Sequence, residues 1–100
     1  MIIGKKLREL REQKGLLLRQ VAAELEVDTA YISKMERGEK NIKRDYILKL
    51  ANIYESDKNE LQILWLADQI VDIVKNEEHA IAALAVAEKE LNKLKRTSKL

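Results

Sequence analysis

Apolar residues recur at steps of three and four almost from the start of the chain. Ile3, Leu7 and Leu10 predict a helix over residues 3–14, and Gly15 can take the positive φ that ends it. Leu18, Val21, Ala22 and Leu25 repeat the spacing in a short second segment that stops at Val27 and Asp28. The Asp28 carboxylate can accept from free N–H groups one turn ahead, so a third helix is expected over residues 29–36, with Ile32 and Met35 inward and Gly38 closing it. A polar loop, apolar only at Ile42, leads to a fourth helix over residues 44–54 that should bury Ile47, Leu48, Leu50 and Ala51.

The second half of the chain is helical by the same pattern, with more apolar residues than one face can use. Asp57 and Glu60 read as a capping box, Asp57 as the cap and Glu60 reaching back. The helix they open, residues 57–75, carries Leu61, Ile63, Leu64, Trp65, Leu66, Ala67, Ile70, Val71, Ile73 and Val74. One stripe can pack on the preceding helices; the remainder requires another partner. Asp68 and Asp72 read as its polar stripe. After a polar break, a last helix over residues 77–95 places Ala80, Leu84, Ala87, Leu91 and Leu94 in a short heptad seam. Trp65, Ile70, Ile73, Leu84 and Leu91 are the expected contacts of an isologous dimer interface.

Composition sharpens this to an all-α protein. There is no proline, glycine occurs three times and aromatics are 4% of the chain, while Leu, Ala, Glu and Lys dominate. One hundred residues suffice for one domain and are too few for two of ordinary size. Cysteine is absent, so disulfides and thiolate metal sites are excluded, and a cytoplasmic location is the expectation. No run approaches the roughly 18 apolar residues of a membrane span, and the start MIIGKKLREL lacks a signal peptide's apolar stretch. The net charge is only +2, but the positive excess lies in residues 1–55, with twelve Lys/Arg against nine Asp/Glu.

Two short helices joined by a tight turn form a helix-turn-helix. The first can brace across a phosphate backbone while the second presents its N-terminal side chains to a major groove. The strings IGKKLRELREQKGL, QVAAELEVDTAYISKMERGEKN and ILKLANIYESDKNEL resemble the Cro/phage-repressor, or XRE-like, helix-turn-helix family over residues 3–66. YISKMERG, at its spacing from LRELREQKGL, is the most specific of the matching motifs.

The resemblance implies a five-helix, repressor-like domain over residues 1–66 with the third helix as the recognition helix. Residues 67–100 then form a C-terminal helical dimerisation extension continuous with the fifth helix. It implies base contacts from Thr29, Ala30 and Lys34, with Tyr31 near a phosphate or a base edge. Arg37, Lys40, Asn41 and Lys43 are suited to phosphates. Arg11 and Glu36 correspond to a partly buried structural ion pair between the first and third helices. The family's second helix usually opens with a Ser-Gln pair that caps it and holds a phosphate. Leu17 and Leu18 stand there instead. Either Arg19 or Gln20 takes over the backbone contact, or the two leucines pack on another surface.

The functional expectation is a sequence-specific double-stranded DNA-binding regulator of transcription, a repressor or operon controller that binds a pseudo-palindromic operator as a homodimer. The rival is an antitoxin that neutralises a toxin protein and autoregulates its operon; the apolar surplus fits either. Catalysis is not expected: Ser33 and Ser56 have no histidine partner, no Gly-rich phosphate loop occurs, and His79 alone cannot build a metal site. No cofactor, metal or membrane partner is expected.

Overall fold

The computed structural model describes residues 1–98 and, among them, contains helices and no strands. The elements are α1 (Ile2–Gln13), α2 (Leu18–Leu25), α3 (Thr29–Glu36), α4 (Arg44–Ile53), α5 (Lys58–Val74) and α6 (Ala80–Ser98). They fall into two compact units. The first runs from Met1 to Ile70, and the second begins at Val71.

The first unit has one core, built from the residues that share the helical spacing. Ile3 and Leu7 of α1, Val21, Ala22 and Leu25 of α2, and Ile32 and Met35 of α3 meet Ile47, Leu50, Ala51 and Tyr54 from α4 and its C-terminal cap. Leu61 of α5 closes the cluster. Ile42 is buried with them, so the loop before α4 is anchored by its one apolar residue. Leu48, expected inside, is 39% exposed. The buried stripe of α4 takes positions 47, 50, 51 and 54, and Leu48 falls about 100° round the helix from Ile47.

α1 and α3 approach closely at Gly4. A Cβ there would lie 2.6 Å from the Met35 carbonyl oxygen and 2.8 Å from that of Glu36, so only glycine permits the crossing. The turn between α2 and α3 is made by Glu26 in the left-handed conformation, φ 58°, followed by Val27 and the cap Asp28. Asp28 Oδ1 accepts from the Tyr31 N–H at 2.7 Å.

Two local expectations at the ends of α5 are corrected. Asp57 Oδ1 accepts from the Asn59 N–H at 2.9 Å, but Glu60 turns outward to Lys6 Nζ at 3.4 Å, an interhelical ion pair in place of the reciprocal half of a capping box. Asp68 is not part of a solvated stripe. It is 5% exposed, and its two carboxylate oxygens accept from the backbone N–H groups of Ile2 at 2.9 Å and Ile3 at 2.7 Å. α1 opens on Ile2, Ile3 and Gly4 with no side-chain cap of its own, so Asp68 supplies one from α5. This bond ties α5 to the start of α1 within the first unit, which runs to Ile70. Asp72, one turn on, is exposed and pairs with Lys75 at 3.3 Å.

In the second unit, α6 starts at Ala80, because a turn intervenes after Lys75 where sequence placed the helix start at 77. None of its residues through Thr97 is buried. Among the described residues, no helix is long and apolar enough to cross a membrane.

Candidate nucleic-acid interface

The third helix is held from one side only. Ile32 and Met35 are locked in the core, which turns Thr29, Ala30 and Lys34 to the surface, all exposed. The frame behind them is fixed by the pair Arg11–Glu36. Arg11 Nε donates to Glu36 Oε2 at 2.7 Å and Nη2 to Oε1 at 3.0 Å, while Nη1 donates to the Leu16 carbonyl at 2.9 Å. One side chain thus ties α1 to the end of α3 and to the loop entering α2. Both partners are largely shielded, at 13% and 6% side-chain exposure. A bidentate pair with a third acceptor is the geometry in which shielded charges are stable. The Glu36 hydrogen bond raises the Arg11 guanidinium above its ordinary value. Burial, and then the charge on Glu36, push the nearby Tyr54 phenol well above its ordinary range.

Beside α3 stands an aromatic and cationic cluster that sequence reasoning missed. The rings of Tyr31 and Tyr46 meet edge to face, with centroids 5.8 Å apart. Tyr31 is therefore partly buried on α4, and burial is the first cause that raises its phenol. Lys40 Nζ sits 5.9 Å from the Tyr31 ring centre, and Lys49 Nζ 5.8 Å from that of Tyr46. Arg44 lies over Trp65 at 5.0 Å, and Trp65 Nε1 donates to the Ile42 carbonyl at 2.6 Å. Trp65 is thus engaged within its own unit, holding the loop that displays Lys40, Asn41 and Lys43. The signal for Arg44, Tyr46 and Lys49 was present as cations and an aromatic on α4. What was not legible is that α4 packs beside Tyr31.

The other phosphate candidates differ in how they are held. Arg37 Nη1 donates to Ser33 Oγ at 2.9 Å, and its Nε donates to the Glu39 carboxylate, so its charge is met within the chain. Gln20 Oε1 accepts from the Leu17 N–H at 2.7 Å, the half of a capping box that reaches back to the cap, while the other half is one the Leu17 side chain cannot make. The Gln20 amide nitrogen remains a donor beside the exposed Arg19. The caps of α2 and α4, Leu17 and Lys43, offer no side-chain acceptor; the Gln20 and Tyr46 N–H groups donate to the Leu17 and Lys43 carbonyls, and the first two N–H groups of each helix are left to solvent or an anion. Of the expected interface residues, Ile70 and Ile73 are 40% and 77% exposed, Leu91 is 61% exposed, and Leu84 is half-buried.

A short helix fixed by its apolar face, with a second helix across a tight turn and cations at its flank, is the arrangement of a helix-turn-helix domain. Residues 2–64 match the family model described as a helix-turn-helix domain, and the chain belongs to that family, in its XRE-like form. The HTH-type transcriptional regulator DdrOP3 of Deinococcus deserti is 35% identical over 54 residues, which span 54% of this chain and 42% of that protein. The chain thus matches less than half the length of that curated relative. Among solved structures, the restriction-modification controller protein C.AhdI from Aeromonas hydrophila is 39% identical, with a TM-score of 0.55, over 59% of this chain and 86% of that one. The clp gene regulator ClgR from Corynebacterium glutamicum shares the fold at 23% identity and a TM-score of 0.59, over 97% of this chain and 89% of its own.

Proposed function

We propose that this chain is a sequence-specific double-stranded DNA-binding regulator of transcription, an operon controller or repressor that binds a pseudo-palindromic operator as a homodimer. The observation that carries the reading is α3. Its inner face is locked by Ile32 and Met35, and its outer face offers Thr29, Ala30 and Lys34, a set able to donate, accept and make apolar contact in a major groove. Lys40, Lys43 and the starts of α2 and α4, which have no side-chain cap, offer cations and N–H groups suited to flanking phosphates. The family, and the likeness to a restriction-modification controller protein at 39% identity, support the same reading. Three or four base pairs per copy carry little specificity, and a second copy doubles the contacts.

The test is selection of bound duplexes from a random DNA pool. The expected product is an inverted repeat whose half-sites are centred about one helical turn apart, roughly 10 base pairs. Recovery of sequences no different from the starting pool would overturn the proposal.

A further inference from the structure

α6 is a 19-residue helix with no buried side chain through Thr97. On its seam Leu91 is 61% exposed, and Ala87 is exposed as well. In proteins most of a helix's stability comes from packing its apolar face, so an apolar seam left exposed along one calls for a packing partner. Two features of the seam indicate which partner and in which direction.

The first is the alternation of side-chain size. Over residues 80–91 the seam reads Ala80, Leu84, Ala87, Leu91, and Leu94 follows outside the alternation. In a parallel pair every layer would face itself, alanine on alanine and then leucine on leucine, alternately too wide and too full. Run antiparallel, with Ala80 of one copy opposite Leu91 of the second and Leu84 opposite Ala87, every layer holds one alanine and one leucine. The volume is then constant over residues 80–91, as close packing requires. The second is the charge along the unit. Residues 71–79 carry three carboxylates and one lysine, whereas residues 88–97 carry four Lys/Arg and two carboxylates. A parallel pair would set acidic start against acidic start and basic end against basic end. An antiparallel pair sets each acidic start against the other copy's basic end and also opposes the helix dipoles.

We infer that α6 pairs with α6 of a second copy of this chain in antiparallel orientation, with Ala80 opposite Leu91 and Leu84 opposite Ala87. The inference rests on the homodimer reading above and adds its direction and register. The pairing is two-fold symmetric, so it closes at two copies. Leu84 and Ala80 are already half-covered in the single chain, and the second copy covers the remainder together with the exposed Ala87 and Leu91.

The chain has no cysteine, which allows a direct test. Ala80→Cys and Leu91→Cys copies, carrying different tags, are co-expressed and oxidised, and each variant is also oxidised alone. The expected result is a covalent heterodimer from the co-expressed pair and none from either variant alone. In the antiparallel register, like positions are eleven residues apart along the axis, about 16 Å at the helical rise, beyond the reach of a disulfide. A covalent homodimer of Ala80→Cys alone would show a parallel pair and overturn the inference. So would the absence of any cross-link from the co-expressed copies. Selection of DNA by the same variants is read separately, so a chain that recognises its operator but fails to cross-link removes this pairing and leaves the DNA-binding reading in place.

Discussion

The Asp68 carboxylate on α5 accepts the Ile3 backbone N–H at the start of α1 at 2.7 Å, a bond between residues 65 positions apart. With its second bond to Ile2, it satisfies N–H groups that the opening sequence of α1 has no side chain to meet. Asp68→Ala leaves a buried donor unpaired, and the unfolding free energy should fall by about 1–3 kcal/mol. Asp68→Asn keeps one acceptor oxygen and should recover part of the loss. Urea unfolding followed by helical circular dichroism reads both. A midpoint unmoved by Asp68→Ala would mean that water replaces the cap at no cost.

Glu26 turns the chain between α2 and α3 at φ 58°, a left-handed conformation that is strained for a side chain with a Cβ. Glycine relieves about 1–2 kcal/mol of that strain and returns about 0.5–1 kcal/mol through the greater freedom of its unfolded backbone. Glu26→Gly is therefore expected to raise the melting temperature by a few degrees. A lower melting temperature would show that the Glu26 side chain contributes contacts that outweigh the strain.

The helices were legible because their signal is local. The buried residues of α2 and α3 lie at steps of three and four, and Asp28 announces the start of α3 in its own sequence. What sequence did not show is relational. Asp68 sits in an apolar helix, and nothing near it says that its hydrogen-bond donors are at residues 2 and 3. Leu48 has the same chemistry as Leu50, and only the pitch of α4 separates the exposed one from the buried one. Tyr31 could not be assigned to Tyr46, or Trp65 to the Ile42 carbonyl, before α4 and α5 were placed beside α3 and its loop. Gln20 is a partial exception. Its spacing of three from Leu17 is that of a helix-start bond, and the contact it makes is the one that spacing allows.

Tyr54 makes stability depend on pH in the alkaline range. Burial, then the charge on Glu36, hold its phenol protonated in the folded chain above the ordinary value of 10.0. The unfolded chain ionises it at that ordinary value. The folded state therefore keeps its full stability below about pH 10, and loses it as pH rises beyond, by up to about 1.4 kcal/mol per pH unit. Tyr54→Phe removes the ionisation and should flatten the fall between about pH 10 and pH 11.5. Parallel slopes for the two proteins would place the alkaline loss elsewhere.

Lys34 and Lys43 should separate base reading from phosphate holding. Lys34 lies on the outer face of α3, fixed in place by Ile32 and Met35 behind it, whereas Lys43 precedes α4 on the loop pinned by Ile42 and Trp65. On the selected operator, Lys34→Ala is expected to weaken binding by about 1–3 kcal/mol and relax preference at one position in each half-site. Lys43→Ala should weaken all sequences alike and reduce the slope of log affinity against log salt by about 0.9 for each phosphate lost. Arg37 serves as the internal control. Its guanidinium already meets Ser33 and Glu39, so Arg37→Ala should change the slope less than Lys43→Ala. The measurement is a salt titration of operator and scrambled duplex for each variant. Uniform weakening by Lys34→Ala, with the base preference intact, would move Lys34 to the phosphate backbone and leave Thr29 and Ala30 as the base readers. A slope change from Arg37→Ala equal to that from Lys43→Ala would mean that Arg37 releases Glu39 when DNA binds.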